Sequence, residues 1–492
     1  MLTRLVRQSS VYALAGILGK ASGLVLTAYY VNTEYLPVED YGYFGVIRAA
    51  MMTALLAAGA GLPLGVIRSA ASRALREDVR ASVPSTALVL AALSGAVVGL
   101  AVWVSAPLVA GLLGGGGGGR AEPVRLVALY LFFKAVADVS YAELRQREKV
   151  RTYVAMSAAE SLVLLGAVLW FLVVEQQGLV GVMRGYAVSS AFVAGVSSVL
   201  LLRVVPWRPR WSLAAPLASF GLPLVLSGLA MRFLYFGDRF VIVHVAGLES
   251  SATYELAAQF GALVHTVLVQ GVQLAFTVTG IKVFGDPAAA ALYRRSFRHF
   301  AALAGGAVLG VGLFASAVVR LVTTDPAYVS IDGVVALVAG GFAFNGLYAI
   351  PVSALYAAGR TRTVALCVGA AAALNLALNL ALVPTLGIVG AAFSTLAAYA
   401  ALALVVGHVA APLAGTRLPW GAVVGVTIAT ASLWALGDGL APGGPFGLGL
   451  RAGALGIYPL ALVGLGVYGR GDLEAVRIRV RERLGRPPST PR

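Results

Sequence analysis

Residues 363–411 read TVALCVGAAAALNLALNLALVPTLGIVGAAFSTLAAYAALALVVGHVAA and contain no Lys, Arg, Asp or Glu. A helix needs roughly 20 mostly apolar residues to cross the hydrocarbon core of a bilayer. The stretch is long enough for two such helices, and Pro384 and Gly387 lie where the first should end and the second should begin. It therefore predicts two consecutive membrane spans, 363–383 and 387–411.

The whole chain follows the same pattern. Its 492 residues are 59% hydrophobic and 12% charged, with a mean hydropathy of +0.87, which excludes a soluble globular protein. We predict an all-α integral membrane protein with about 14 transmembrane helices. The predicted spans are 9–31, 42–67, 82–112, 124–142, 154–174, 178–202, 216–246, 257–280, 299–319, 333–357, 363–383, 387–411, 420–437 and 448–468.

Positive charge is concentrated in alternate loops. Of the 37 Lys and Arg residues, 27 lie in the N-terminal segment, every second loop and the C-terminal tail, whereas the other loops carry four. Cytoplasmic loops of membrane proteins are enriched in Lys and Arg. The pattern predicts a multi-pass protein of the cytoplasmic membrane with both termini in the cytoplasm. The same bias accounts for the net charge of +16, so we expect no nucleic-acid partner.

Motifs of enzymes, metal sites and cofactor sites are absent from the sequence. Cys367 is the only cysteine, the four histidines have no metal-ligand spacing, and no Gly-rich phosphate loop ends in Lys-Ser or Lys-Thr. No connection exceeds roughly 20 residues, which leaves no room for a catalytic domain outside the membrane. We therefore expect a transporter with no cofactor and no metal, rather than a polymerase, a ligase or a glycosyltransferase.

An internal repeat relates the two halves of the chain at an offset of about 215 residues. Tyr141-Ala142 and Tyr356-Ala357 close the fourth and tenth spans, while Gly178-Leu-Val-Gly181 and Gly387-Ile-Val-Gly390 open the sixth and twelfth. Six spans in each unit keep both units in the same orientation, so a parallel pseudo-two-fold repeat is expected. Two such lobes would enclose a central cleft.

The repeat defines four segments. They are an N-terminal six-helix lobe (1–206), a C-terminal six-helix lobe (207–415), an added helix pair (416–469) and a basic cytoplasmic tail (470–492). Leu473, Val476, Val480 and Leu484 are spaced as on one face of a helix, among seven Arg and three acids. The tail is either a helix on anionic membrane lipids or a solvated basic segment.

Apart from Arg125 and Arg451, which lie within four residues of a span's start and are counted with the external loops, nine charged residues fall inside the predicted spans. They are Lys20, Arg48, Lys134, Asp138, Glu160, Arg184, Arg232, Asp238 and Arg239. A charge at the centre of a span costs roughly 3 kcal/mol on insertion scales and is commonly functional. Six of the nine are cations, so at least three should lack an acidic partner. Glu255 and Asp332 fall just outside their spans, and a small boundary error would add either acid to the set.

The surplus of cations predicts an anionic cargo, with Lys20, Arg48, Arg232 and Arg239 as candidates for a cationic cleft. Structural pairing and snorkelling to the interface are the alternative. Lys134 and Asp138, four residues apart, are expected to pair along one helix. Asp238 and Arg239 are adjacent and are expected to need separate partners.

Ion coupling has its own candidates. Asp138 and Glu160 could carry a coupling proton. Asn375 and Asn379, one turn apart in the eleventh span, are expected to bond neighbouring helices or, less often, to hold a coupling ion.

Several motifs resemble those of polysaccharide-export flippases of the multidrug/oligosaccharidyl-lipid/polysaccharide superfamily. They are Tyr35-Leu-Pro-Val-Glu-Asp-Tyr-Gly42, Phe220-Gly-Leu-Pro-Leu224, Asp238-Arg239 and the run from Asn375 through Gly387-Ile-Val-Gly390. The resemblance spans about residues 8–410. It implies two six-span lobes with alternating access, and a cleft whose cations, here Arg48, Arg232, Arg239 and Lys20, meet a diphosphate. It also implies drive by an ion gradient or by the membrane potential.

The expected function is to flip a polyprenyl-diphosphate-linked oligosaccharide from the inner to the outer leaflet for surface polysaccharide synthesis. Polysaccharide polymerases or glycosyltransferases are possible partners. A flippase for lipid II, the peptidoglycan precursor, is an alternative because its cargo carries the same diphosphate. A cation-coupled multidrug exporter of the same superfamily is another, although that function favours an acidic cleft. A scaffold without transport activity is a third.

Overall fold

The computed structural model describes residues 19, 21–71, 76–114, 120–147, 149–323, 325–328, 331–439 and 444–468. This part of the chain is almost entirely helical and contains no strand, which confirms the predicted all-α fold. Lys20 and the predicted tail at 470–492 lie outside the described residues.

We number the helices from the one that begins at Val38. They are α1 (Val38–Gly59), α2 (Leu62–Ala71), α3 (Glu77–Val104), α4 (Ala106–Leu112), α5 (Ala121–Gln146), α6 (Val150–Leu169), α7 (Gly178–Leu202), α8 (Ala214–Val245), α9 (Gly247–Val264), α10 (Gln270–Lys282), α11 (Ala289–Val322), α12 (Asp332–Ala349), α13 (Val352–Ala357), α14 (Thr361–Ala410), α15 (Trp420–Gly439) and α16 (Pro445–Gly464). Two π-helical turns, Trp170–Val174 and His265–Val269, follow α6 and α9.

The helices have the length and composition of membrane spans. Across the described ranges, nine helical segments are long and apolar enough to cross a bilayer, so the chain is a multi-pass membrane protein. The predicted span 178–202 coincides with α7, and 216–246 differs from α8 by two residues or fewer at each end. The predicted span 257–280 begins ten residues too late, because α9 begins at Gly247. The total of 14 spans stays a prediction.

Two equivalent glycines of the internal repeat share the same positive φ. Gly387, which divides the 50-residue α14 into two helices, has φ 55°, and Gly178, which opens α7, also has φ 55°. Only glycine adopts this region without steric cost. Three residues after each, Gly181 and Gly390 lie so close to a backbone carbonyl that a Cβ would approach its oxygen to 2.7 and 2.6 Å, respectively. The two sequence motifs therefore build the same local turn.

The chain forms two compact units. The first comprises the described residues of Met1–Leu256, Arg320–Val329 and Leu376–Ala391. Its apolar core joins α2, α3, α5, α7 and α8 through side chains that include Leu62, Val83 and Val139. Helix α8, which the sequence assigns to the second lobe, belongs to this unit. The boundaries of the predicted lobes stay a prediction.

The second unit comprises the described residues of Ala257–Val319, Ser330–Asn375 and Ala392–Arg492. The added pair α15 and α16 bonds backbone carbonyls of α11. Tyr458 Oη donates to the carbonyl of Ala302 at 2.7 Å, Trp434 Nε1 to Gly312 at 3.4 Å, and Arg451 Nη1 to Leu313 at 3.0 Å. The loop-charge count places Arg451 in an external loop, but it is a buried residue of α16.

Candidate functional site

A buried charge network joins α1, α8 and α9 within the first unit. Both oxygens of the Glu255 carboxylate are used: Oε1 accepts from Arg48 Nη2, and Oε2 accepts from Arg239 Nε at 2.8 Å. Arg239 Nη1 also lies 3.0 Å from Asp238 Oδ1, and the hydroxyl of Tyr254 donates to Asp238 Oδ2. We call these five residues the arginine network.

Local sequence features place these side chains together. Helix α1 begins after Pro37 and has Glu39 and Asp40 in its first turn, where carboxylates interact favourably with the helix dipole. Its interior then carries Arg48. Helices α8 and α9 are separated by Ala246 alone, and this tight connection folds Asp238 and Arg239 back towards Tyr254 and Glu255.

Exposure differs sharply across the arginine network. The side chain of Arg48 is 21% exposed, whereas those of Arg239, Asp238 and Glu255 are 4%, 3% and 0% exposed. Two arginines and two acids balance in formal charge. Arg48 is therefore the member that a ligand could reach. The buried Arg239 instead holds Glu255 in place.

A second network links α5 and α6 in the same unit. Lys134 Nζ lies 3.2 Å from Asp138 Oδ1 and 2.9 Å from Glu160 Oε1. The hydroxyl of Tyr141 donates to the other oxygen of Glu160 at 2.8 Å. One cation faces two carboxylates, so this lysine network carries a formal charge of −1. Its side chains are 16%, 33% and 22% exposed for Lys134, Asp138 and Glu160.

Aromatic rings connect the two networks. The Arg48 guanidinium lies 5.7 Å from the ring centroid of Phe44, which in turn lies 6.0 Å from the ring of Tyr186. Tyr186 packs edge to face against Tyr130 at 6.0 Å, and Tyr130 is one turn before Lys134 on α5. Three aromatic rings in contact thus lie between Arg48 and the lysine network.

The ion pairs change the predicted count of unpaired cations. Arg184 pairs with Glu122 at 3.0 Å, and Arg48 pairs with Glu255. Among the described residues, Arg232 is the one predicted intramembrane cation without an ion pair, and it is half-buried. A surplus of three is therefore too high, because the predicted spans left out Glu122 and Glu255.

The predictions for individual pairs agree with the observed contacts. The local Lys134–Asp138 pair is confirmed. As expected, Asp238 and Arg239 have separate partners in Tyr254 and Glu255, and the long Arg239 side chain also folds back onto its neighbour. Asn375 is buried and its Nδ2 lies 3.5 Å from Thr395 Oγ1, and Asn379 is also buried.

Tyr254, Tyr141 and Tyr186 were not predicted as site residues. Tyr254 and Tyr141 carry hydroxyl groups that bond acids of the two networks, and Tyr186 lies between the networks. The sequence carried a usable signal for Tyr141. Its spacing from Lys134 and Asp138 places it on the same face of one helix. No comparable signal marked Tyr186, because its role depends on contacts with α1 and α5.

A family model described as polysaccharide biosynthesis protein matches residues 35–328, which is more than half of the chain. The chain belongs to the polysaccharide biosynthesis protein family. All residues of the arginine and lysine networks lie within the range that matches this family, whereas Lys20, Asn375 and Asn379 lie outside it.

Solved structures with a similar fold include a flippase and two transporters described as members of the multidrug/oligosaccharidyl-lipid/polysaccharide superfamily. The lipid II flippase MurJ in an inward closed conformation is 12% identical, with a TM-score of 0.75 over 94% of this chain and 98% of that one. An inward-facing multidrug resistance transporter of the superfamily is 16% identical, with a TM-score of 0.66 over 83% and 94%. A superfamily transporter from Pyrococcus furiosus is 16% identical, with a TM-score of 0.60 over 83% and 95%.

These likenesses concern the fold alone, and they agree with the all-α membrane fold predicted from the sequence. No curated protein matches the chain.

Proposed function

We propose that the protein is a flippase that moves a polyprenyl-diphosphate-linked oligosaccharide from the inner to the outer leaflet of the cytoplasmic membrane for surface polysaccharide synthesis. The proposal rests on the environment of Arg48. Its guanidinium is partly exposed within a membrane helix, and Glu255 is its one hydrogen-bond partner among the described residues. Arginine presents five N–H donors in a fork that matches phosphate oxygens. Arg48 is thus suited to an anionic headgroup.

The cargo would move by alternating access between the two six-span lobes, 1–206 and 207–415, with the helix pair 416–469 attached and both termini in the cytoplasm. Arg48 binds the diphosphate, and Lys20 and Arg232 add positive charge along the path. Arg239 positions Glu255 and does not touch the cargo in this conformation, because its side chain is buried. The prenyl chain stays in lipid throughout.

The lysine network is our candidate for ion coupling. A formal charge of −1 on three partly exposed side chains suits the uptake of a proton or another small cation. Asp138, the most exposed of the three, would take up the ion, and Lys134 would then shift towards Glu160. Asn375 and Asn379 are a second candidate set for an ion.

The acidic lysine network also supports the multidrug-exporter alternative, since it could attract a cationic compound. Arg48 speaks for the anionic cargo, and the family match to polysaccharide biosynthesis proteins supports it. Lipid II carries the same diphosphate, so Arg48 suits it equally well. The fold also resembles that of the lipid II flippase MurJ, and lipid II therefore stays the alternative cargo. Polymerases and glycosyltransferases of the same polysaccharide are the proposed partners.

The test is depletion of the protein in its native cells, followed by complementation with wild type, Arg48→Gln or Arg184→Gln. Arg184 is the matched control because it forms an exposed pair. Spheroplasts are treated with a membrane-impermeant glycosidase to measure lipid-linked oligosaccharide on the outer face. We expect inner-face accumulation after depletion and with Arg48→Gln, and normal export with Arg184→Gln at equal abundance.

Two results contradict the proposal. Unchanged export after depletion would exclude a flippase function for this protein. Accumulation of the peptidoglycan precursor instead of the surface-polysaccharide precursor would assign the lipid II cargo.

A further inference from the structure

Helices α1 and α9 touch along a closely packed seam. A Cβ added to Gly42 would lie 2.0 Å from the carbonyl oxygen of Leu248, so the two backbones are in direct contact. The buried Ser251 hydroxyl donates to the carbonyl of Gly42 at 3.2 Å. One turn further along α1, a Cβ on Gly45 would lie 3.0 Å from Cγ of Glu255. The seam therefore depends on the absence of side chains on α1.

The Arg48–Glu255 ion pair closes this seam. Gly42, Gly45 and Arg48 are spaced at three-residue intervals and lie along one side of α1, where they meet Leu248, Ser251 and Glu255 of α9. Beyond the two glycines, the Arg48–Glu255 pair is a polar contact between the two helices. Separation of α1 from α9 requires Arg48 to leave Glu255.

Glu255 can release Arg48 without becoming an isolated buried charge. Leaving one member of a buried ion pair without its partner is strongly unfavourable. Here Arg239 holds the other carboxylate oxygen at 2.8 Å and stays in place. Arg48, which is partly exposed, then needs a new anion. A diphosphate offers more oxygens and more charge than one carboxylate oxygen.

We propose that Glu255 is a resident counter-ion which a lipid diphosphate displaces from Arg48, and that this displacement opens the α1–α9 seam. The inference rests on the proposed function for the class of cargo. It adds that headgroup binding and release of the seam are one event. The seam lies at the end of α1 that the loop charges assign to the outer side, so its opening would expose the headgroup there.

The experiment measures seam opening through the accessibility of residue 251. Ser251→Cys is introduced together with Cys367→Ala, which removes the native cysteine, and the purified protein is labelled with a hydrophilic maleimide. The probes are farnesyl diphosphate and, as the matched control, farnesol. We expect farnesyl diphosphate to accelerate labelling at least about 10-fold and farnesol to leave the rate unchanged. An unchanged labelling rate with farnesyl diphosphate overturns the inference. This test requires no substitution in the arginine network.

Binding of farnesyl diphosphate supplies the second readout. Glu255→Gln frees Arg48, so affinity should rise about 10-fold, labelling should be fast without ligand, and added diphosphate should not accelerate it further. Glu122→Gln, in the exposed pair with Arg184, should match wild type in both respects. Weaker or unchanged affinity in Glu255→Gln overturns the inference, because a resident counter-ion must compete with the ligand.

Arg48→Gln separates this inference from the proposed function. If Arg48→Gln abolishes binding while the diphosphate leaves Ser251→Cys labelling unchanged, the headgroup site stands and the coupling to the seam is wrong. If Arg48→Gln binds as well as wild type, the headgroup site itself is wrong. Should Glu255→Gln not fold, Glu255→Asp retracts the carboxylate and should give the same changes at smaller size.

Discussion

The substitution Gly42→Ala tests the α1–α9 seam with the smallest possible change. Its new Cβ would lie 2.0 Å from the Leu248 carbonyl oxygen, whereas packed atoms sit roughly 3.5–4 Å apart. The two helices must therefore separate by about 1 Å or more. That movement weakens the hydrogen bond from Ser251 and displaces Glu255 relative to Arg48.

The expected size of the effect follows from three contributions. Overpacking costs about 1–3 kcal/mol, and loss of the Ser251 hydrogen bond costs about 1 kcal/mol. Replacement of glycine within a helix returns about 1 kcal/mol through helix propensity. The net destabilisation is about 1–3 kcal/mol.

The matched control is Gly195→Ala, within α7, where a Cβ would have no atom within 4 Å. It should stabilise the protein by about 1 kcal/mol, so the two variants should differ by about 2–4 kcal/mol.

Thermal unfolding in detergent compares the stabilities of the two variants, and maleimide labelling of Ser251→Cys in each reports whether the seam is open. We expect a lower Tm and faster labelling for Gly42→Ala than for Gly195→Ala. Equal Tm values together with equally slow labelling would refute the close backbone contact and the inferences drawn from it.

Three further predictions concern the networks and the repeat. Lys134→Met leaves Asp138 and Glu160 facing each other and should cost about 2–3 kcal/mol, less than full burial would give; Arg184→Met in an exposed pair should cost under about 1 kcal/mol in the same thermal assay. Tyr254→Phe removes a donor from a buried carboxylate and should cost about 1.5–3 kcal/mol without changing helix content, as circular dichroism will check. Gly387→Ala should lower the Tm through about 1–3 kcal/mol of backbone strain, whereas Gly369→Ala, in open space within α14, should not.

Features governed by short-range patterns were predictable from the sequence. Continuous apolar runs located α7 and α8 to within two residues. The Lys134–Asp138 pair followed from its spacing of four residues, because such neighbours meet on any helix. The turn at Gly387 followed from the repeat and from the special backbone freedom of glycine.

Features that depend on tertiary contact were not predictable. Hydropathy assigned Glu255 to a loop, because Glu249, Ser250, Ser251 and Thr253 make the start of α9 polar. The helix nevertheless begins at Gly247, and the charge of Glu255 within it is neutralised by arginines from α1 and α8. The partner Arg48 lies 207 residues away in the chain, and no local periodicity connects them. The overestimate of free cations has the same origin.

Transbilayer movement of a defined cargo in reconstituted vesicles tests the central claim most directly. Proteoliposomes carry a fluorescent polyprenyl-diphosphate oligosaccharide, and a membrane-impermeant quencher reports how fast inner-leaflet lipid becomes accessible. We predict rapid movement with wild type, movement close to that of protein-free vesicles with Arg48→Gln, and wild-type movement with Arg184→Gln. Wild-type vesicles that behave like protein-free vesicles, or Arg48→Gln vesicles that behave like wild type, would contradict a flippase whose headgroup contact is Arg48.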